Sequence, residues 1–285
     1  MLNFNWGVRP LGGGFANRTY LMGVLNVTPD SFSDGGEFNK PLSALNQALA
    51  LAAGGADIID VGGQSTRPGA EQISVEEELE RVLSVIKIIR PKIDIPISVD
   101  TTRANVANKA VNAGADIVND ISGGTFDSSM FSTVASLNVP LILMHIRGTP
   151  QTMQLLTDYQ DVIEEISNFL LQQITAATDA GIKREKIIID PGIGFAKNLE
   201  QNLEIFRRLT ELKKLNCPIL VGPSRKSFIG RILNQPNPKE RVWGTAAASC
   251  AAIFNGADIL RVHDVEQMRD VSMVADALMR PNQSR

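Results

Sequence analysis

The sequence predicts a (β/α)8 TIM barrel on three observations. Short apolar runs alternate with helical segments eight times across about 250 residues, the count of such a barrel, and strand–helix–strand connections demand parallel pairing with right-handed crossovers. The tetrapeptide Gly-Ala-Asp-Ile recurs at 55–58, 114–117 and 256–259, each time between a predicted helix and the strand that follows it. No strand runs into Gly-x-Gly-x-x-Gly, the mark of the main competitor, an open doubly wound sheet of three layers. The 285 residues suit one large α/β domain or two small ones. The unbroken alternation favours a single barrel domain over 1–285, with an N-terminal hairpin over 1–18 and a frayed tail over 281–285.

Taken in order, Phe4–Val8 and Gly14–Arg18 flank Arg9-Pro10-Leu11-Gly12-Gly13 and read as the hairpin. The first core strand is Thr19–Leu25, and Asn26 ends its apolar row as a neutral amide. Leu42–Ala53 is a helix with Leu42, Leu45, Leu49 and Ala52 on one face, ended by Gly54-Gly55. Ile58–Val61 is the second strand, 62–72 a loop of Gly, Ser, Thr and Pro, and Val75–Ile89 a helix striped by Val75, Leu79, Val82 and Ile86. Strands Pro96–Asp100, Ile117–Asp120 and Pro140–Met144 follow, alternating with helices Arg103–Ala113 and Ser129–Leu137. After a loop over 146–157 come a helix at Tyr159–Ala180, strand Ile187–Asp190 and a helix at Leu199–Leu215. Strand Ile219–Gly222, a short extra helix Ser227–Leu233, an Ala-rich helix Val242–Phe254, strand Ile259–Val262 and helix Val265–Met279 complete the count. In the repeated tetrapeptide the Gly suits a left-handed helix exit, and Asp57, Asp116 and Asp258 fall in the return loops as structural residues.

Composition narrows the function. Hydrophobic residues at 44% and charged residues at 21% are ordinary for a soluble protein. A net charge of −3 provides no basic field for nucleic acid. No apolar run reaches the ~20 residues that span a bilayer. Met1–Gly14 lacks the charged start and apolar centre of a signal peptide. Cys217 and Cys250 stand apart and form no metal or redox motif. These features point to the cytoplasm.

Barrel active sites form at the C-terminal ends of the strands. Here those ends offer Asn26, Asp60, Asp100, Asn119 with Asp120, Met144 with His145, Asp190, Ser224-Arg225-Lys226, and Arg261 with His263. Asp120 reads as the cap of the next helix. Thr101 and Thr102 can cap the helix after Asp100, and the loop after Asp190 is too long for a cap, so these two carboxylates remain available. Met144 continues the inward row of Ile142, so His145 faces away and reads as a structural histidine. Arg261 and His263 share a face, and two cationic donors at a barrel mouth suit an anion, phosphate being the natural one. Asp100, Asn119 and Asp190 can accept from a flat heterocycle bearing several N–H groups, with Lys226 on a ring carbonyl or nitrogen. Asn26 offers a neutral oxygen to Mg²⁺ whose other ligands are diphosphate and water. Ser227 opens the short helix, where a carboxylate can be held.

The segments Gly23–Gly36, Asp60–Gly69, Ile97–Thr101, Asn119–Gly123, Met144–Pro150, Asp190–Phe195, Ser224–Gly230 and Arg261–Asp264 together resemble the dihydropteroate synthase family, in order and along nearly the whole chain. The resemblance implies condensation of 7,8-dihydropterin-6-ylmethyl diphosphate with 4-aminobenzoate, yielding dihydropteroate and diphosphate. It implies catalytic roles for Asp100, Lys226, Arg261 and His263. Asp100, Asn119, Asp190 and Lys226 then hold the pterin, Met144 and Phe195 are further substrate-binding residues, and Arg261, His263 and Asn26 handle diphosphate and Mg²⁺. Phe32, Thr66, Arg67 and Pro68 lie on two covering loops that complete the 4-aminobenzoate pocket, with Ser227 near its carboxylate. A homodimer and sensitivity to sulfonamides are also implied.

Two positions depart from the commonest pattern of that family: Gln64 stands where Glu is frequent, and Pro223 precedes the Lys226 loop. No Ser-His-Asp or Cys-His set is suggested, so no covalent enzyme intermediate is expected. The rival readings are a pterin-binding methyltransferase barrel and a non-catalytic pterin-binding paralogue.

Overall fold

Isoleucine, valine and leucine fill both faces of the strands, as a parallel sheet covered by helices requires. The computed structural model describes residues 18–27, 40–67 and 69–279. The expected hairpin, apart from Arg18, and the expected tail lie outside these residues, as do Phe32 and Pro68. The elements run β1 (Tyr20–Asn26), α1 (Lys40–Ala53), β2 (Ile58–Gly62), α2 (Val75–Ile89), β3 (Ile97–Asp100), α3 (Ala104–Asn112), β4 (Ile117–Asp120), α4 (Met130–Leu137) and β5 (Leu141–Met144). They continue with α5 (Val162–Asp179), β6 (Ile187–Asp190), α6 (Leu199–Arg208), β7 (Leu220–Val221), α7 (Ser227–Leu233), α8 (Val242–Phe254), β8 (Ile259–Val262) and α9 (Val265–Met279).

Every pairing is parallel, in the spatial order β6-β5-β4-β3-β2-β1-β8-β7. A bridge between Ile189 and Ile219, with the Ile189 N–H donating to the Pro218 carbonyl at 2.9 Å, brings β6 to β7 and closes the ring. This is the (β/α)8 barrel, with strand limits within one residue of those expected from sequence.

Three helices differ from expectation. α1 begins at Lys40 rather than Leu42, and it buries Ala44, Ala48 and Leu51 while Leu42 and Leu49 of the expected face are exposed. The helix expected from Tyr159 begins at Val162, because the Asp161 carboxylate accepts from the Ile163 and Glu164 amides at 2.9 Å each and fixes the start there. The helix expected over Leu199–Leu215 ends at Arg208 (φ −113°, ψ 14°) and continues as a 3₁₀ segment over Leu209–Leu215. The Arg208 side chain is held there by Asp161, Glu204 and Glu211 at 2.7–3.1 Å.

The period of two along each strand builds the barrel interior. Tyr20, Met22, Ile58, Ile117, Ile142, Ile188, Leu220 and Ile259 form one buried cluster, the floor of the barrel. Their strand neighbours Ile59, Val118, Leu143, Ile189, Val221 and Leu260 join the larger cluster beneath the helices. Full burial of one such side chain stabilises the fold by roughly 1.5–3 kcal/mol. Two residues farther along β2, β4, β5, β6 and β8 the inward row becomes Asp60, Asn119, Met144, Asp190 and Arg261, and on β3 Asp100 sits likewise above Ser98.

The opposite face is pinned by the repeat. Gly55, Gly114 and Gly256 have φ of 101°, 117° and 95°, so only glycine leaves the helix there without strain. The following aspartate then reaches the adjacent strand. Asp57 accepts from the Leu21 amide at 2.8 Å and from Arg18 at 2.6 and 2.9 Å. Asp116 accepts from the Ile97 amide at 2.9 Å and Arg90 at 2.8 Å, and Asp258 from the Ile219 amide at 2.9 Å.

Candidate active site

A cavity of about 40 Å³ opens at the C-terminal ends of the strands. Its walls bring together Thr66, Asp100, Asn119, Met144, Asp190, Phe195, Lys226, Arg261 and His263, residues drawn from seven strands or the loops after them. A larger cavity of about 140 Å³ adjoins it, sharing Thr66, Asp100 and Ile121 and extending beneath Gln64, Arg103 and Pro150.

Arg261 is the electrostatic centre. From β8 its Nε donates to Asp60 Oδ2 at 2.7 Å and its Nη2 to Asp100 Oδ2 at 2.8 Å. Asn119 Nδ2 donates to the same Asp60 oxygen at 3.2 Å. Asp60 is wholly buried, and its Oδ1 has no partner among the described residues. Burial by itself lowers the Arg261 pKa, and the facing Asp60 and Asp100 carboxylates more than reverse this. Burial pushes Asp100 up to about 7, against the pull of Arg261 and with the push of Asp60. Asp190 is pushed up to about 6 by burial, opposed by the Gly192 amide, which donates to its Oδ1 at 2.7 Å, and by Lys226, Lys197 and Arg261.

Lys226 extends from the start of α7 until its Nζ lies 4.2 Å from the centre of the Phe195 ring, a cation–π contact. Burial lowers its ammonium to about 8, aided by Arg261 and opposed by Asp190 and Asp100. The loop that carries Lys226 is clamped by buried Arg241. That guanidinium donates to the carbonyls of Arg225, Gln235 and Pro236 at 2.6–2.9 Å.

The expectation of two cationic donors at the mouth is corrected in one member. Burial first, then Arg261 and Arg225, push the His263 imidazole down to about 3, so at neutral pH it is uncharged. Its Nδ1 lies 3.0 Å from Ser224 Oγ, which also accepts the His263 amide at 3.1 Å. With the serine proton on Nδ1, the imidazole hydrogen sits on Nε2. Asp120 is corrected too: it accepts from the Ser122 and Gly124 amides at 2.8 and 3.0 Å and so folds its own loop rather than capping α4. Thr101 Oγ1 accepts the Arg103 amide at 3.2 Å, while the first α3 amide, of Ala104, goes to Asp127 at 2.8 Å. Asp100 caps nothing. His145 faces out of the barrel, buried, with its ring edge-on to Phe169 at 5.0 Å.

Other expected residues lie apart from the cavity. Asn26 is half-buried at the end of β1, and Arg67 and Ser227 are exposed, and none of the three lines either cavity. Gln64 fastens the loop after β2: its amide nitrogen donates to the Ser65 and Glu71 carbonyls at 2.8 Å each, and its oxygen accepts the Ile73 amide at 2.9 Å. Asp60 and Ser224 were visible at strand ends but carried no assigned role, and Lys197 was not singled out. For Asp60 the signal was its place two residues beyond Ile58, the same step that separates Asp190 from Ile188.

Residues 22–263 match the family of pterin binding enzymes. The chain is 59% identical to a dihydropteroate synthase from Synechocystis sp., over 97% of this chain and 93% of that protein. Among solved structures, it is similar to a Clostridium difficile dihydropteroate synthase determined in the presence of pteroic acid. That likeness has a TM-score of 0.89 at 45% identity, covering 94% of this chain and 99% of that one. A Xanthomonas albilineans dihydropteroate synthase with 4-aminobenzoic acid gives a TM-score of 0.88 at 42% identity, covering 93% of this chain and 94% of that one.

Proposed function

Because the chain belongs to the pterin binding enzymes, and within them to the dihydropteroate synthases, we propose that its polar rim divides between the two substrates of that enzyme. The reaction transfers the 7,8-dihydropterin-6-ylmethyl group from its diphosphate to 4-aminobenzoate, giving 7,8-dihydropteroate and diphosphate in folate synthesis. One observation carries the division: acceptors Asp100, Asn119 and Asp190 and donors Lys226, Arg261 and His263 line a single cavity.

In this reading the pterin lies against Met144 and Phe195, its N–H groups accepted by Asp100, Asn119 and Asp190, and Lys226 donates to the ring. Asp60 and Asp100 use two of the five N–H groups of Arg261, and the remainder serve the diphosphate together with His263 Nε2. The bond from the methylene carbon to the diphosphate oxygen breaks with its electron pair on the leaving group. The pterin ring spreads the positive charge, the arylamine lone pair forms the new C–N bond, and the proton of the alkylated amine passes to the released diphosphate or to water. Buried carboxylates favour the cationic carbon, and Arg261 favours the departing anion. Phe32, Thr66, Arg67 and Pro68, on the loops after β1 and β2, cover the amine and exclude water that would capture the cation, and Ser227 meets the carboxylate of 4-aminobenzoate.

Mg²⁺ belongs to the same reading. Among the described residues no three His, Cys, Asp or Glu side chains are grouped to hold a metal ion, and Asn26 offers one neutral oxygen. That set fits only an ion that arrives with the diphosphate and keeps water ligands, as Mg²⁺ does. When bound, it supplies positive charge to the leaving group. We also propose a homodimer, supported by the exposed apolar side chains Trp243 and Phe254 on α8 and Met273, Val274 and Leu278 on α9. A cytoplasmic setting is supported by two free thiols, Cys217 and Cys250.

The test of the rim assignment is titration calorimetry with the pterin diphosphate, alongside chromatographic detection of dihydropteroate. Lys226→Met is expected to weaken pterin diphosphate binding at least about tenfold, the worth of one charge-assisted hydrogen bond. Unaltered affinity in that variant would remove Lys226 from the pterin site.

A further inference from the structure

We infer that Lys197 is a positioning residue for the pterin wall: it ties the loop after β6 to His145 of the neighbouring β5 end and so fixes Asp190 and Phe195. The inference rests on the assignment of those two residues to the pterin.

The loop after β6 has little backbone support of its own. Within it the Phe195 amide donates to the Gly192 carbonyl at 3.1 Å, and Gly192, Gly194 and Ala196 all take positive φ, of 72°, 82° and 50°. A non-glycine residue held at φ +50° marks a segment fixed from outside. The outside supports are side chains. Asn202 Oδ1 accepts the Gly194 amide at 2.6 Å, and Lys197 folds back under the loop, 3% exposed, with Nζ 2.8 Å from the Phe195 carbonyl and 3.0 Å from His145 Nδ1.

The second contact crosses to the adjacent strand at the point of closest approach. The His145 amide donates to the Asp190 carbonyl at 3.0 Å, and a Cβ on Gly192 would stand 2.1 Å from the His145 carbonyl oxygen. The loop therefore lies flush on His145, and Lys197 fastens it there. Burial lowers His145 to about 2 and Lys197 to about 7, so the ring is neutral and Nδ1 can accept from the Lys197 amine, which has N–H groups to give whether protonated or not. Lys197 also bears on charge: it is among the groups that oppose the upward push of burial on Asp190. A buried amine with two acceptors on two elements, beneath a carboxylate and an aromatic ring that face the cavity, is more than the packing of that loop requires.

The experiment uses the full chain with Lys197→Met and Lys197→Arg, measuring kcat and both KM values. Turnover by the unaltered enzyme tests the functional assignment separately, so its failure and the failure of this inference give different results. Lys197→Met is expected to raise KM for the pterin diphosphate at least tenfold while KM for 4-aminobenzoate stays within twofold, and Lys197→Arg is expected to recover most of the loss. Where Lys197→Met does not fold, Lys197→Gln, which keeps a donor for the Phe195 carbonyl, takes its place with the same expectation. Equal rises in both KM values, an unchanged pterin KM, or no recovery by arginine overturns the inference.

Discussion

The two ends of the barrel both carry aspartates, and they use them in opposite ways. On the N-terminal face Asp57, Asp116 and Asp258 each accept an amide within one residue of the start of a neighbouring strand, and Asp57 and Asp116 also hold an arginine. On the C-terminal face Asp60 keeps an oxygen without a partner among the described residues, and Asp100 and Asp190 are held up at about 7 and about 6 by burial. The difference follows from placement. A carboxylate in a return loop reaches the edge of the ladder, where amides await partners. One on the inward face of a strand meets strand amides already used in parallel pairing, so Asp60 and Asp100 turn to Arg261, and Asp190 to the Gly192 amide of the loop that follows it. The first arrangement spends its acceptors on the fold, and the second leaves them for a ligand.

The largest expected effect tests that contrast directly. Asp100→Asn removes a rim carboxylate that, among the described residues, only Arg261 engages, through one oxygen, and it is expected to weaken pterin diphosphate binding by about 10–100-fold, the worth of a charge-assisted hydrogen bond. Its melting temperature should fall less than that of Asp116→Asn, because burial already disfavours the charge on Asp100 and Arg261 keeps Asp60 as a partner. Asp116→Asn should do the reverse. It weakens the tie to Ile97 and leaves Arg90 without its carboxylate, costing about 1–3 kcal/mol of stability with pterin affinity intact. Calorimetry and thermal melts on the two variants, side by side, measure this. Equal losses of affinity would end the distinction between the faces.

A smaller effect is expected from pH. The folded-state pKa values of Asp190 and Asp100 stand above the ordinary carboxylate value of 3.8. Their contribution to stability is therefore fully present below about 4 and is lost as pH rises through about 6 for Asp190 and about 7 for Asp100. Ligand binding runs the other way, since the pterin N–H groups need the ionised acceptors. Between pH 5 and 8 the ligand-free protein should lose this part of its stability while affinity for 6-hydroxymethyl-7,8-dihydropterin, which carries no titrating diphosphate, rises by up to about tenfold per unit for each carboxylate that must ionise. Affinity that is flat across this range would mean the carboxylates do not accept from the ring.

Much of this contrast could be read from residue order. The apolar alternation located the strands, and the thrice-repeated Gly-Ala-Asp-Ile marked the pinned face, because both depend on local periodicity and backbone conformation. The convergence of Asp100, Asp190, Lys226 and Arg261 followed from the barrel itself. What could not be read depends on depth and on contacts across the ring. His263 was expected to carry charge, and burial beside Arg261 keeps it neutral. Asp60 had no assigned role because its link to Arg261 spans 201 positions in the chain. Lys197 escaped notice because a lysine that folds back beneath its own loop looks, in sequence, like any surface lysine. The end of α6 at Arg208 carries no glycine or proline signal.

The smallest expected effect concerns a rim residue that behaves like those of the pinned face. Gln64 has its two donors and its acceptor engaged with three backbone groups of the loop that carries Thr66 and Arg67. A glutamate there keeps the acceptor for the Ile73 amide but cannot donate to the Ser65 and Glu71 carbonyls. Because the loop is partly exposed, water replaces much of what is lost, and each bond is worth about 1 kcal/mol or less. Gln64→Glu is accordingly expected to raise KM for 4-aminobenzoate by about 3–10-fold through a looser cover over the amine, with pterin affinity unchanged. Steady-state kinetics in both substrates measures it. If KM for 4-aminobenzoate stays the same, the loop does not need this fastening to close over the amine, and commitment to the backbone is then confined to the N-terminal face.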